Sequence, residues 1–132
     1  MIKLNTDGYK IHTPLGYTSF YGIRKTEKTR YFLIKFKDGK EIRCSTNHVF
    51  VTIEGKCVKA KHLKYKHRLW THDGWTKLRS RKLIKEPITL YDIIQSDGES
   101  TYYSGGILSH NCSFLGSSNT LIAGWKLQQL TY

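Results

Sequence analysis

The sequence predicts an all-β domain, on three observations. Apolar and polar residues alternate through much of the chain, the period-two pattern of a half-buried strand. Glycine-containing turn pairs separate these runs. The runs are rich in Tyr, Ile, Phe and Thr, which suit a pleated surface.

The elements follow in order. Pro14 and Gly16 mark a turn near the start. "YFLIKFKDGKEIRCS" alternates around Asp38-Gly39, a strong hairpin signal. "HVFVTIEGKCVKA" repeats the pattern around Glu54-Gly55. "KAKHLKYKHRL" suits a short helical turn. "ITLYDIIQSDGESTYYSGGILS" supplies two more strands, joined at Asp97-Gly98.

At 132 residues, 39% of them apolar, the chain suffices for one compact domain with a core, or one domain plus a tail. No apolar run is long enough to span a membrane, so no membrane partner is expected. The N-terminus does not read as a signal peptide. Cys44, Cys57 and Cys112 form neither a CxxC pair nor an even disulfide set, which favours a reducing cytosol. Cys44 and Cys57 are expected to pack in strands as small apolar residues. The six histidines are scattered, with no four ligands at zinc-finger spacing, and no metal or cofactor is expected.

The net charge of +12 is uneven. Residues 56–85 carry 11 Lys or Arg and one acid, Asp73, whereas residues 86–111 carry four acids and no Lys or Arg. This asymmetry fits a solvated basic face, an acidic partner or a nucleic acid. Tyr65, Trp70 and Trp75 interleave with the charge, as in a basic β-barrel that stacks on bases.

Chemistry concentrates in three places. His110-Asn111-Cys112 follows a short apolar strand. An Asn side-chain amide can attack its own carbonyl carbon, form a succinimide and break the chain after itself. The neighbouring His can supply a proton, and the following Cys can accept an acyl group as a thiolate. In "RCSTNHVF", Ser45 lies three residues before His48. The imidazole could protonate an amide nitrogen while Ser45 and Asn47 hold the carbonyl; such a cluster is also ordinary turn chemistry. Asp92 interrupts the apolar strand "LYDII", where a carboxylate is costly unless it has a partner or a purpose; otherwise it is a strand-edge acid facing solvent.

Taken in order, "STNH", "LYDII" and "YYSGGILSHN" followed by Cys resemble an intein, a self-splicing domain of the Hint (Hedgehog/intein) fold. "CSTNHVF" is similar to the motif usually written TxxH, with Ser45 in place of Thr. The resemblance covers residues 9–111. It departs from the pattern at Ser100, where many inteins carry a second His, and in lacking an early nucleophile followed by Thr. "DGYKIHTPLGYTSFYGIRKTEKTRYF" resembles the segment after that first motif, as in C-terminal pieces of atypically split inteins of phage large-terminase genes. "SFLGSSNTLIAGWKLQQLTY" resembles the terminase large subunit.

The resemblance implies a horseshoe-like Hint fold, incomplete without an N-terminal intein fragment. Residues 1–111 would be the C-terminal split-intein fragment and residues 112–132 a C-extein segment. The partner would be a short, acidic N-fragment carrying the first nucleophile and an N-extein, and nucleic acid would enter only through the terminase exteins. The implied activity is single-turnover trans-splicing in the cytoplasm of a phage-infected bacterium. His48, with Ser45 and Asn47, would activate the N-terminal junction. Cys112 would take the N-extein with help from Asp92. Asn111 would cyclise, with His110 as proton donor.

Overall fold

A computed structural model describes residues 2–4, 9–94, 101–110 and 128–129. The described strands are β1 (Ile2–Leu4), β2 (Tyr9–Thr13), β3 (Gly16–Ser19), β4 (Gly22–Lys28), β5 (Tyr31–Phe36), β6 (Glu41–Cys44) and β7 (Val49–Val51). They continue with β8 (Cys57–Lys59), β9 (Arg68–Thr71), β10 (Gly74–Ile84), β11 (Ile88–Ile94), β12 (Thr101–Ser104), β13 (Ile107–His110) and β14 (Gln128–Gln129). A 3₁₀ turn, Ala60–His62, lies within the segment expected to make a short helical turn.

The fold is all-β, as expected. The main sheet runs β6-β5-β10-β9-β13-β7-β8, with β12 on β13. Two three-stranded sheets, β1-β4-β11 and β14-β2-β3, complete the described architecture. These sheets are open, which overturns the barrel in the nucleic-acid reading: among the described residues the main sheet's path ends on β6 and β8, and these do not pair. Trp70 and Trp75 face each other across β9 and β10, and the Arg68 guanidinium lies 5.6 Å from the Trp75 ring centroid.

Local chemistry explains the hairpins. Asp38-Gly39 joins β5 to β6, where Asp38 Oδ1 accepts from the Lys40 backbone N–H at 3.1 Å. Glu54-Gly55 joins β7 to β8. The expected joint at Asp97-Gly98 lies outside the described residues. Its flanking strands do not pair with each other: β11 pairs with β4, and β12 pairs with β13. The hairpin in this region turns at Gly105-Gly106, with φ of +59° and +85°. Two successive positive φ values are what a two-residue type I′ loop demands. This turn places Tyr102 opposite Ser109 and Thr101 opposite His110.

Alternation then sorts side chains into a core of Ile34, Phe36, Phe50, Leu63, Leu69, Tyr102 and Ile107. Cys44 joins that core, but Cys57 is exposed, against expectation. The reason is position: among the described residues β8 is an outer strand of the sheet, next only to β7. A ring cluster holds the β2–β3 hairpin to β12. His12 stacks on Tyr17 at 4.8 Å and tilts against Tyr103 at 4.7 Å.

Candidate active site

His48 closes a tight turn, donating its backbone N–H to the Ser45 carbonyl at 3.1 Å. The turn leads directly into β7, and the His48 carbonyl accepts from Ala60 N–H at 2.7 Å. The imidazole is fully buried, edge-on to Phe50 at 4.7 Å. Its Nε2 lies 2.8 Å from Ser109 Oγ. Ser109 Oγ in turn lies 2.5 Å from Ser104 Oγ. Both serines are buried.

The sheet builds this chain of groups. β13 pairs with β7 through Ser109 and Phe50, which brings Ser109 beside the residues that open β7. Tyr102 faces Ser109 across β12 and β13, and Ser104 is two residues further along the same face. The His48 motif is therefore fastened to the strand that leads into His110.

Ser45 is buried in the same turn. The Asn47 side-chain oxygen is buried and accepts no hydrogen bond in the structure. His110 is half-buried at the end of β13, and burial holds its imidazole pKa below the ordinary value. By alternation it lies on the opposite face of β13 from Ser109. Asn111 and Cys112 lie outside the described residues.

Asp92 is 1% exposed and bonded to Arg24 Nη2 at 2.8 Å. Register explains the meeting, because Asp92 and Arg24 are directly opposite across β11 and β4. The solvent-facing alternative for Asp92 is thereby excluded, and a guanidinium partner stabilises the buried carboxylate. Asp92 belongs to the β1-β4-β11 sheet, whereas His48 and His110 belong to the main sheet. Among the described residues, no cluster of three or more His, Cys, Asp or Glu side chains could hold a metal ion.

Sequence reasoning missed Ser104, Ser109 and Arg24. The two serines carried a readable signal: each occupies an inward position of an otherwise apolar strand. Arg24 carried none, since "GIRKTEK" reads as a solvent-facing cationic run.

No protein-family model and no curated protein matches the chain. Solved structures do. A consensus engineered intein with an atypical split site is 38% identical, covers 89% of this chain and 93% of its own, and superposes with a TM-score of 0.71. The gp41-1 intein is 25% identical over 83% of this chain and 97% of its own, with a TM-score of 0.64. An intein-like domain from Clostridium thermocellum shares the fold at 19% identity, 79% and 95% coverage and a TM-score of 0.64. An all-β Hint fold, with a buried histidine tied to the strand before His-Asn-Cys, defines a self-processing domain. At the identity and coverage of the first relative, the chain belongs to the intein family. Its coarse activity is autocatalytic protein splicing.

Proposed function

We propose that residues 1–111 are the C-terminal fragment of a split intein and residues 112–132 a C-extein segment, spliced in trans. The observation that carries this reading is the buried His48–Ser109 contact. It ties the histidine of the first motif to the strand that runs into His110-Asn111-Cys112. The atypical split site of the 38%-identical relative supports the division of labour between two chains.

Four bond exchanges make up the reaction. The partner's first thiol attacks the carbonyl before it; a C–S bond forms, the C–N bond breaks, and the proton ends on nitrogen. His48 handles that proton, with Ser45 and Asn47 beside the junction. Cys112 sulfur then displaces the partner's sulfur and receives the N-extein, with Asp92 assisting. The Asn111 side-chain nitrogen attacks its own carbonyl, giving a succinimide and freeing the Cys112 amine, while His110 supplies the proton to that amine. The Cys112 amine finally attacks the adjacent thioester, leaving a peptide bond. No energy source is needed, because acyl bonds are exchanged throughout.

The partner fragment is proposed to be short and acidic, captured by the cations of residues 56–85. Lys59, Lys61, Lys64 and Lys66 line one open pocket of that segment. A phage terminase host and a bacterial cytoplasm complete the reading, supported by the likeness of residues 113–132 to terminase.

Intact mass spectrometry tests this, after mixing the chain under reducing conditions with N-terminal fragments of the consensus engineered intein and of phage terminase split inteins. Transfer of residues 112–132 as a unit onto the partner's extein is expected. Unchanged masses in every mixture would overturn the proposal.

A further inference from the structure

We propose that Ser109, backed by Ser104, is a positioning residue that lets His48 change protonation state while buried. The proposal rests on His48 acting at the N-terminal junction. It gives a role to two serines inside "YYSGGILSHN" to which the resemblance assigned none.

Three observations carry it. The His48 ring is fully buried, so a change of charge there is costly unless each ring nitrogen keeps a suitable partner. Its Nε2 lies within hydrogen-bond distance of a hydroxyl, Ser109 Oγ. That hydroxyl has a second hydroxyl against it, Ser104, on the same face of the β12–β13 hairpin.

A hydroxyl carries one proton and two lone pairs, so it can donate or accept. In the neutral ring Nε2 carries the proton and donates to Ser109, whose own O–H turns to Ser104. Nδ1 is then the bare nitrogen and takes the thiol proton. The ring becomes a cation, and its Nε2–H keeps Ser109 as acceptor. Nδ1 delivers the same proton to the amide nitrogen as the C–N bond breaks, and the ring returns to the Nε2–H tautomer with its proton count unchanged. Ser109, oriented by Ser104, thus holds the tautomer that leaves Nδ1 unprotonated and able to act, and it stabilises the cation that forms.

The same contact spans the two halves of the reaction. Ser109 lies two residues before Asn111, and its hydroxyl reports the His48 charge to the strand that carries the second junction.

The test uses the full chain in an Asn111→Ala/Cys112→Ala background, which stops the reaction at the first thioester. The N-terminal fragment of the consensus engineered intein serves as partner, and thiol-driven release of its extein is followed from pH 5 to 9. Ser109→Ala is expected to lower the plateau rate about tenfold and to move the acid limb to lower pH, because the imidazolium loses an acceptor. Ser109→Thr, which keeps the hydroxyl, should recover the rate to within about threefold. Ser104→Ala should shift the limb in the same direction by less, and it keeps the proposal testable should Ser109→Ala fold poorly. In the partner-free chain, two-bond ¹⁵N correlations of the His48 ring should show a changed tautomer ratio in Ser109→Ala. A rate loss with an unmoved pH profile and an unchanged tautomer ratio would overturn the proposal and leave Ser109 a packing residue. His48→Ala is the control: wild-type release in that variant would sink the reading of His48 itself, while abolished release alongside an unaffected Ser109→Ala would sink only the serine pair.

Discussion

The Arg24 guanidinium meets the Asp92 carboxylate at 2.8 Å, one strand away across β4 and β11. The Asp92 side chain is almost wholly buried and the Arg24 side chain only 19% exposed. The pair accounts for a charge in the middle of an apolar strand, and it holds the Asp92 carboxylate oriented.

Removing the cation alone should be costly. Arg24→Met is expected to destabilise the domain by about 2–3 kcal/mol, since it deprives a buried carboxylate of its charged partner. Arg24→Met with Asp92→Asn should recover part of that loss. Urea unfolding of the single and double variants checks this; additive losses would show that the pair is not coupled.

Acid should weaken the fold early. His12, His67 and His110 all have pKa values held below 6.5, each mainly by burial; His72 adds to the effect at His12, and Lys66 and Lys64 add to it at His67. In the unfolded chain these rings gain protons near pH 6.5, and in the folded chain only below that. The stability is therefore complete above pH 6.5 and is lost as pH falls through the lowered values. The melting temperature should drop between pH 7 and 5, and His12→Gln should flatten the slope.

The two described cysteines should differ sharply in reactivity. Burial pushes the Cys44 thiol pKa far up, and Cys57 stands exposed on β8. In a Cys112→Ala chain, a disulfide reagent should modify one thiol in the native state and the second only on denaturation. Two rapid modifications would contradict the burial of Cys44.

The turn that aligns Ser104 with Ser109 should be sensitive. A Cβ at Gly106 would approach Lys40 Cε to 2.8 Å and His72 Cδ2 to 3.0 Å, at a φ of +85°. Gly106→Ala should cost about 2 kcal/mol from left-handed strain and crowding. Gly55→Asn, at a similar φ of +83° but in open space, should cost less than about 1 kcal/mol. Chemical denaturation of the two variants provides the comparison.

Much of the strand content was legible, because alternation and turn chemistry are local. "YFLIKFKDGKEIRCS" and "HVFVTIEGKCVKA" both form the hairpins their Gly-containing turns announce. The motif residues were legible for a different reason: self-cleavage needs particular side chains at fixed separations along the chain, at His48 and at His110-Asn111-Cys112. Misjudgements arose where pairing is long-range. "ITLYDII" was read beside "STYYS", yet β11 pairs with β4, because a strand's neighbour is chosen by where its apolar face can be buried.

By itself, then, the sequence determined an all-β chain, its hairpin turns and the family to which its motifs point. Only the tertiary structure decided the partners of the reactive groups: Ser109 and Ser104 behind His48, and Arg24 on Asp92. Ser109 lies 61 residues from His48, and Arg24 lies 68 residues from Asp92. A serine or arginine reads alike in a solvated strand and in a buried one. The register of the sheets removes the water and brings the two side chains to one point, and that gives each of them its role.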